Sequence, residues 1–214
     1  MADHVDYDDI VGMLKAAAGR MRSNRDYLSK LDSATGDGDH GAAVCKVAEA
    51  ILGAIAADES RNLKKLLKDI GWAAMSTDAG STSPLYGSFF MGMSEAVAEH
   101  NSSLDCRAFA AMMDAGLAKL RANTKAEPGG KTMIDALVPA MAALRIAADS
   151  GKNISQAISD SADAAVKGAE STRGMKALFG RARNIGDRSI GHVDPGATSM
   201  SLLFDGMKEG CQNG

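Results

Sequence analysis

Apolar residues in this chain return at steps of three and four, segment after segment, and almost never at steps of two. Val44, Val47, Ala48, Ile51, Leu52 and Ile55 fall on one helical face, Leu63, Leu66, Leu67, Ile70 and Ala74 repeat the pattern, and Ile134, Leu137, Val138, Met141 and Leu144 repeat it again. Each stripe has to be covered by another element. With no alternating runs of valine, threonine and aromatics, the covering elements must be further helices. The spacing therefore predicts an all-α fold. Ser83-Pro84 and Asp194-Pro195 read as helix starts, a capping side chain followed by proline, while Gly71, Gly80, Gly151 and Gly174 fall within or near helix ends. At ordinary helix and loop lengths the 214 residues hold about eight helices. Pro139 sits inside one of them and is expected to bend it.

No linker, low-complexity tract or repeat divides the chain, so residues 1–214 are read as one domain, and 45% hydrophobic content suits a globular core. No apolar run approaches the roughly 18 residues of a spanning helix, and the opening MADHVDYDDI lacks the order of a signal peptide. The expected location is the cytoplasm, with no membrane partner. Cys45, Cys106 and Cys211 match neither a disulfide framework nor a zinc site and are expected to be reduced. A net charge of −3, scattered basic residues and 4% aromatics offer nucleic acid neither a charged stripe nor a stacking platform. The thirteen methionines, Met91 and Met93 among them, read as flexible core filler.

Three polar segments interrupt the helices. In LDSATGDGDHG, Asp32, Asp37 and Asp39 crowd the approach to a helix. Three carboxylates near one point repel each other unless a cation neutralises them, and hard oxygen donors suit magnesium or calcium. The spacing is not that of an EF-hand. The alternative is a glycine turn with Asp39 capping the next helix and His40 on the surface. In DAGSTSPLYGS, Ser81, Thr82 and Ser83 precede Pro84 where the positive end of a helix favours a phosphate, although Ser83 is equally good as an ordinary cap. Further on, EPGGKTM imitates a P-loop, but Lys125 stands where its first glycine belongs and no strand precedes it; Thr132 reads as a cap and Lys131 as a solvated charge. In RARNIGDRSIGHVDPGATS, Arg181, Arg183, Arg188 and His192 crowd a glycine-bearing loop able to close over phosphates, or one that simply lies on the surface with Asp194 as a cap.

Taken in order and at these separations, LDSATGDGDHG, SPLYGSFF, GGKTMIDALVP and GRARNIGDRSIGHVDPGATS resemble one family over essentially the whole chain: the nucleotide-binding L subunit of bacterial dihydroxyacetone kinases. The resemblance implies a single-domain barrel of about eight antiparallel helices with the nucleotide site at one open end. There ADP or ATP sits with magnesium, two ions, held by Asp32, Asp37 and Asp39. By the same carry-over His40, Gly41, Ser81 and Thr82 lie on the phosphates, with Ala42 and Ala43 following on. Thr124, Met133, Asp194, Pro195 and Gly196 line the nucleotide. Arg188 is expected near the phosphates as the catalytic residue. The ketose is implied to sit on a separate K subunit, the active enzyme needing both. In phosphotransferase-coupled systems a phosphohistidine carrier rephosphorylates the bound ADP. A homodimer is a further expected assembly.

The chain departs from the family pattern in places. Many members carry an aspartate where Gly130 stands, a small polar residue and asparagine where Ala42 and Ala43 stand, and a plainer Gly-Ala-Ser-Gly at residues 80–83. These changes bear on substrate and partner rather than fold, and a four-carbon ketose is conceivable. The alternative function is an ADP-loaded module whose output is binding to a regulator. An intact third segment favours the enzyme.

Overall fold

A computed structural model describes residues 3–99 and 102–213. Among them nine α-helices run in chain order: α1 (Tyr7–Ser23), α2 (Arg25–Ser33), α3 (His40–Ala57), α4 (Leu63–Met75), α5 (Thr82–Ala96), α6 (Cys106–Ala122), α7 (Ile134–Asp149), α8 (Ile154–Ser171) and α9 (Pro195–Asn213). From α3 onward each helix packs on the next, α3 also packs on α1, and α9 packs back on α1. Eight helices thus close a ring, while the short α2 lies against α3 across one mouth. The apolar stripes read from the sequence face the middle: Val44, Val47, Ala48 and Ile51 of α3, Leu66, Leu67 and Ile70 of α4, and Ile134, Leu137 and Met141 of α7 are almost completely buried. Met93 is buried as filler, and Met91 packs its side chain into the space a Cβ on Gly71 would need.

Small residues set how closely the ring closes. On α9 a Cβ at Gly206 would stand 2.4 Å from the Cα of Ala17, and one at Gly210 would stand 2.6 Å from the Cα of Met13. The α1–α9 seam is therefore backbone against backbone, clipped at its edge by Arg20 to Asp205 at 3.1 Å and to Glu209 at 2.9 Å. Pro139 does lie inside α7, with its ring beside Gly168 of α8.

Several expectations need correction. Two three-residue strands, β1 (His4–Asp6) and β2 (Ser103–Asp105), pair antiparallel at the far end; they are too short for alternation to reveal them. Helix α5 starts at Thr82, so Pro84 lies within its first turn and Ser83 is not the cap. The Ser83 hydroxyl instead donates to the Thr77 carbonyl at 2.6 Å and accepts from the Ala79 N–H at 3.1 Å. Helix α3, with 18 residues and a mean hydropathy of 1.4, is long and apolar enough to cross a membrane by those two measures. It nonetheless packs on α1 and α4, with Lys46 and Glu49 exposed.

Candidate functional site

The ring's alternation gives it two unlike ends. Helices α3, α5, α7 and α9 all start at one mouth, so four positive dipole ends converge there. A cavity of about 340 Å³ opens between them, lined by Asp39 and His40 before and at the start of α3, Ser81 and Thr82 at α5, Met133 and Ile134 at α7, and Pro195 and Gly196 at α9. Thr124, Phe179, Arg181 and Asp194 complete the wall.

The aspartates form its acidic floor. Asp32 ends α2, Asp37 and Asp39 follow in the turn, and one carboxylate oxygen from each lies within 4.8 Å of the others. Two glycines permit this. A Cβ at Gly36 would stand 2.5 Å from Asp32 Oδ1, and Gly38 takes a left-handed φ of 80°. Asp32 is buried and its Oδ2 accepts from the His40 N–H at 3.2 Å, which ties the triad to the start of α3. Asp39 occupies the cap position of α3 without making a cap hydrogen bond, so the capping alternative does not describe its side chain. Three hard oxygen donors this close fit a magnesium-type cation.

Arg181 reaches this floor from the basic loop. Its guanidinium pairs with Asp37 and lies 3.6 Å from Asp39 Oδ2. The His40 ring turns inward, with Nε2 3.0 Å from the Ser199 hydroxyl. Burial pushes its pKa down. Tyr86, fully buried, donates to the same Ser199 hydroxyl at 3.0 Å, and burial raises its phenol. Asp194 caps α9, accepting from the Ala197 N–H at 2.7 Å. Burial raises its carboxyl to about 7, against the pull of that hydrogen bond and of Lys131.

The cavity gathers Asp32, Asp37, Asp39, His40, Ser81, Thr82, Thr124, Met133, Asp194, Pro195 and Gly196, all named from the sequence. Gly41, Ala42, Ala43 and Arg188 are not among its lining residues. Gly41 packs against α2, where a Cβ would collide with the Arg25 carbonyl at 2.1 Å. Ala42 borders an outer groove beside Arg22, Arg25 and Cys45, and Ala43 is buried. Arg188 is exposed beyond the chain reversal at Gly186, whose φ is 60° and ψ −128°. Of the loop arginines it is Arg181, directly after Gly180, that reaches the aspartates. Lys131, expected to be solvated, is 1% exposed.

Fold and cavity together define a class: an all-helical barrel with an acidic, anion-receptive pocket at one mouth. The chain belongs to the DAK2 domain family, whose model matches residues 34–209. It is 36% identical over 189 residues to the ADP-binding subunit of PEP-dependent dihydroxyacetone kinase 1 from Listeria innocua, covering 88% of each chain. It is 32% identical over 195 residues to the corresponding ADP-binding subunit from Escherichia coli, covering 91% of this chain and 92% of that one. The dihydroxyacetone kinase of C. freundii, solved in complex with AMP-PNP and Mg2+, superposes with a TM-score of 0.72 at 25% identity over 93% of this chain. This chain spans 33% of that one.

Proposed function

We propose that this protein is the nucleotide-binding, phosphoryl-transferring subunit of a cytoplasmic dihydroxyacetone or related ketose kinase, working on a ketose held by a separate K subunit. In a phosphotransferase-coupled system the ADP stays bound and is rephosphorylated by a phosphohistidine carrier. The observation that carries this reading is the aspartate triad set among the converging starts of α3, α5 and α7, whose own N-cap residues make no side-chain cap bond. The positive ends of converging helices favour phosphate oxygens, while three carboxylates would repel them unless a cation intervenes. The pocket therefore selects a polyphosphate together with its metal.

Magnesium bound by Asp32, Asp37 and Asp39 would neutralise charge on the phosphate chain. The protein's own groups supply the rest. Ser81 and Thr82 present the opening of α5 to phosphate oxygens. Thr124, Met133, Pro195 and Gly196 wall the remainder of the nucleotide. Arg181, already against the triad, offers a planar fork of donors to oxygens of the transferred group. The relatives, which are ADP-binding subunits of dihydroxyacetone kinases, support the same reading.

Calorimetry tests it. ADP should bind with magnesium and lose most of its affinity in EDTA, and Asp37→Asn should weaken the magnesium-dependent binding at least tenfold. Equal affinity with and without the metal would overturn the assignment.

A further inference from the structure

Lys131 has the lowest exposure of any charged residue among the described residues, 1%, and the proposed chemistry does not use it. Its Nζ donates to the carbonyls of Thr172 at 2.8 Å, Ser189 at 2.8 Å and Met175 at 3.2 Å, and to that of His192. An ammonium has three protons, so four main-chain acceptors share them. These carbonyls come from the two flanks of one segment, the basic loop between α8 and α9. The lysine's own backbone is held in an unusual left-handed conformation, φ 59°. That turn is fixed from below by Asp135, whose carboxylate accepts from the Gly129 N–H at 2.5 Å and the Thr132 N–H at 2.8 Å. Next to it the Gly130 carbonyl accepts from the Leu178 N–H at 3.1 Å. Three residues beyond Leu178 stands Arg181, paired with the aspartates.

We infer that Lys131 is a positioning residue: its ammonium gathers both flanks of the basic loop onto the 129–132 turn, and so sets Arg181 over the aspartate triad. A buried cation ringed by carbonyls is an internal staple for a segment that lacks an α-helical ladder. Without it the loop carbonyls lose their shared donor, and the arginine loses the support that aims it. The catalytic side of this inference rests on the phosphoryl-transfer reading; the ordering of the loop does not.

The experiment joins hydrogen exchange on the full chain with steady-state kinetics of the complex with its K subunit. In Lys131→Met, amides of residues 176–192 should exchange at least tenfold faster while those of α1 and α4 keep their rates. Turnover at saturating nucleotide should fall at least a hundredfold, with a smaller change in KM. The double variant with Arg181→Ala should be no slower than Arg181→Ala alone. Unchanged protection of 176–192, or losses that multiply in the double variant, would overturn the inference. Should the Met variant fail to fold, Lys131→Gln, which keeps one donor, takes its place, and wild-type exchange of 176–192 at random-coil rates would equally overturn it. Faster loop exchange in a protein that never supports kinase activity would uphold the staple and reject the phosphoryl-transfer reading.

Discussion

The two ends of the barrel begin their helices differently. At the far end α1, α4, α6 and α8 are each capped by a side chain: Asp6 in a full capping box with Asp9, Asn62 to the Lys65 N–H, Asp105 to the Ala108 N–H and Asn153 to the Gln156 N–H. At the cavity end the residues before α3, α5 and α7 are Asp39, Ser81 and Met133, and none makes a side-chain cap bond. There α9 alone is capped by the residue directly before it, Asp194, while the first amides of α3 and α7 go to Asp32 and Thr132. Two of the uncapped positions carry residues chemically able to cap, so composition is not the reason. One end closes each helix with the side chain of its own N-cap residue; the other opens its helix starts on a cavity that also holds three carboxylates.

The largest effect should come from separating the two arginines of the near end. Arg181→Ala should lower turnover of the reconstituted complex by roughly 10³-fold while leaving Tm nearly unchanged, since an exposed ion pair contributes little stability. Arg188→Ala should cost less than tenfold. A reversed ranking in steady-state kinetics would return Arg188 to the site.

Asp194 sharpens the contrast through pH. Its folded carboxyl sits at about 7 rather than 3.8, so between those values the folded protein holds a proton that the unfolded chain has released. Stability from this group is complete at the acid end and lost as pH rises through 7. Asp194→Asn keeps an oxygen for the Ala197 N–H but cannot ionise. Wild-type Tm should therefore fall relative to the variant by several degrees between pH 5 and pH 8, and parallel melting profiles would show that the carboxyl does not titrate there.

The smallest effects test the capping asymmetry itself. Asp105→Ala at the far end should cost about 1 kcal/mol, or roughly 2–4 °C in Tm, with no change in nucleotide affinity. Ser81→Ala at the near end should leave Tm within about a degree and weaken nucleotide binding. Equal thermal losses at both positions would erase the distinction drawn between the two ends.

Much of the fold was legible because α3, α4 and α7 write their buried faces at helical spacing, and eight helices do form the ring. The aspartate triad was legible because its members lie within eight residues and glycine lets them converge. What could not be read depends on contacts distant in sequence. Arg181 and Arg188 share one glycine-bearing loop, and the chain reversal at Gly186, not residue type, separates the one at the carboxylates from the one in solvent. Lys131 looks like a surface charge until residues from 172 to 192 arrive to surround it. Gly130, where many family members carry aspartate, has its own explanation: a Cβ there would stand 2.9 Å from the Glu127 carbonyl and 3.1 Å from the Phe179 ring, which occupies that room here.

The seam between α1 and α9 has a consequence for how the ring is made. From α3 to α9 every wall joins helices adjacent along the chain, and the turn through α2 brings α1 against α3, so these contacts close short loops at low entropic cost. Bringing α9 to α1 spans nearly the whole chain. The steepest entropic step in assembly is thereby concentrated in one interface, where Gly206 and Gly210 let two backbones approach closely. The barrel is thus built around its circumference from local pairs and closed at this joint, where the chain's two ends meet along one of its most extensive helix contacts.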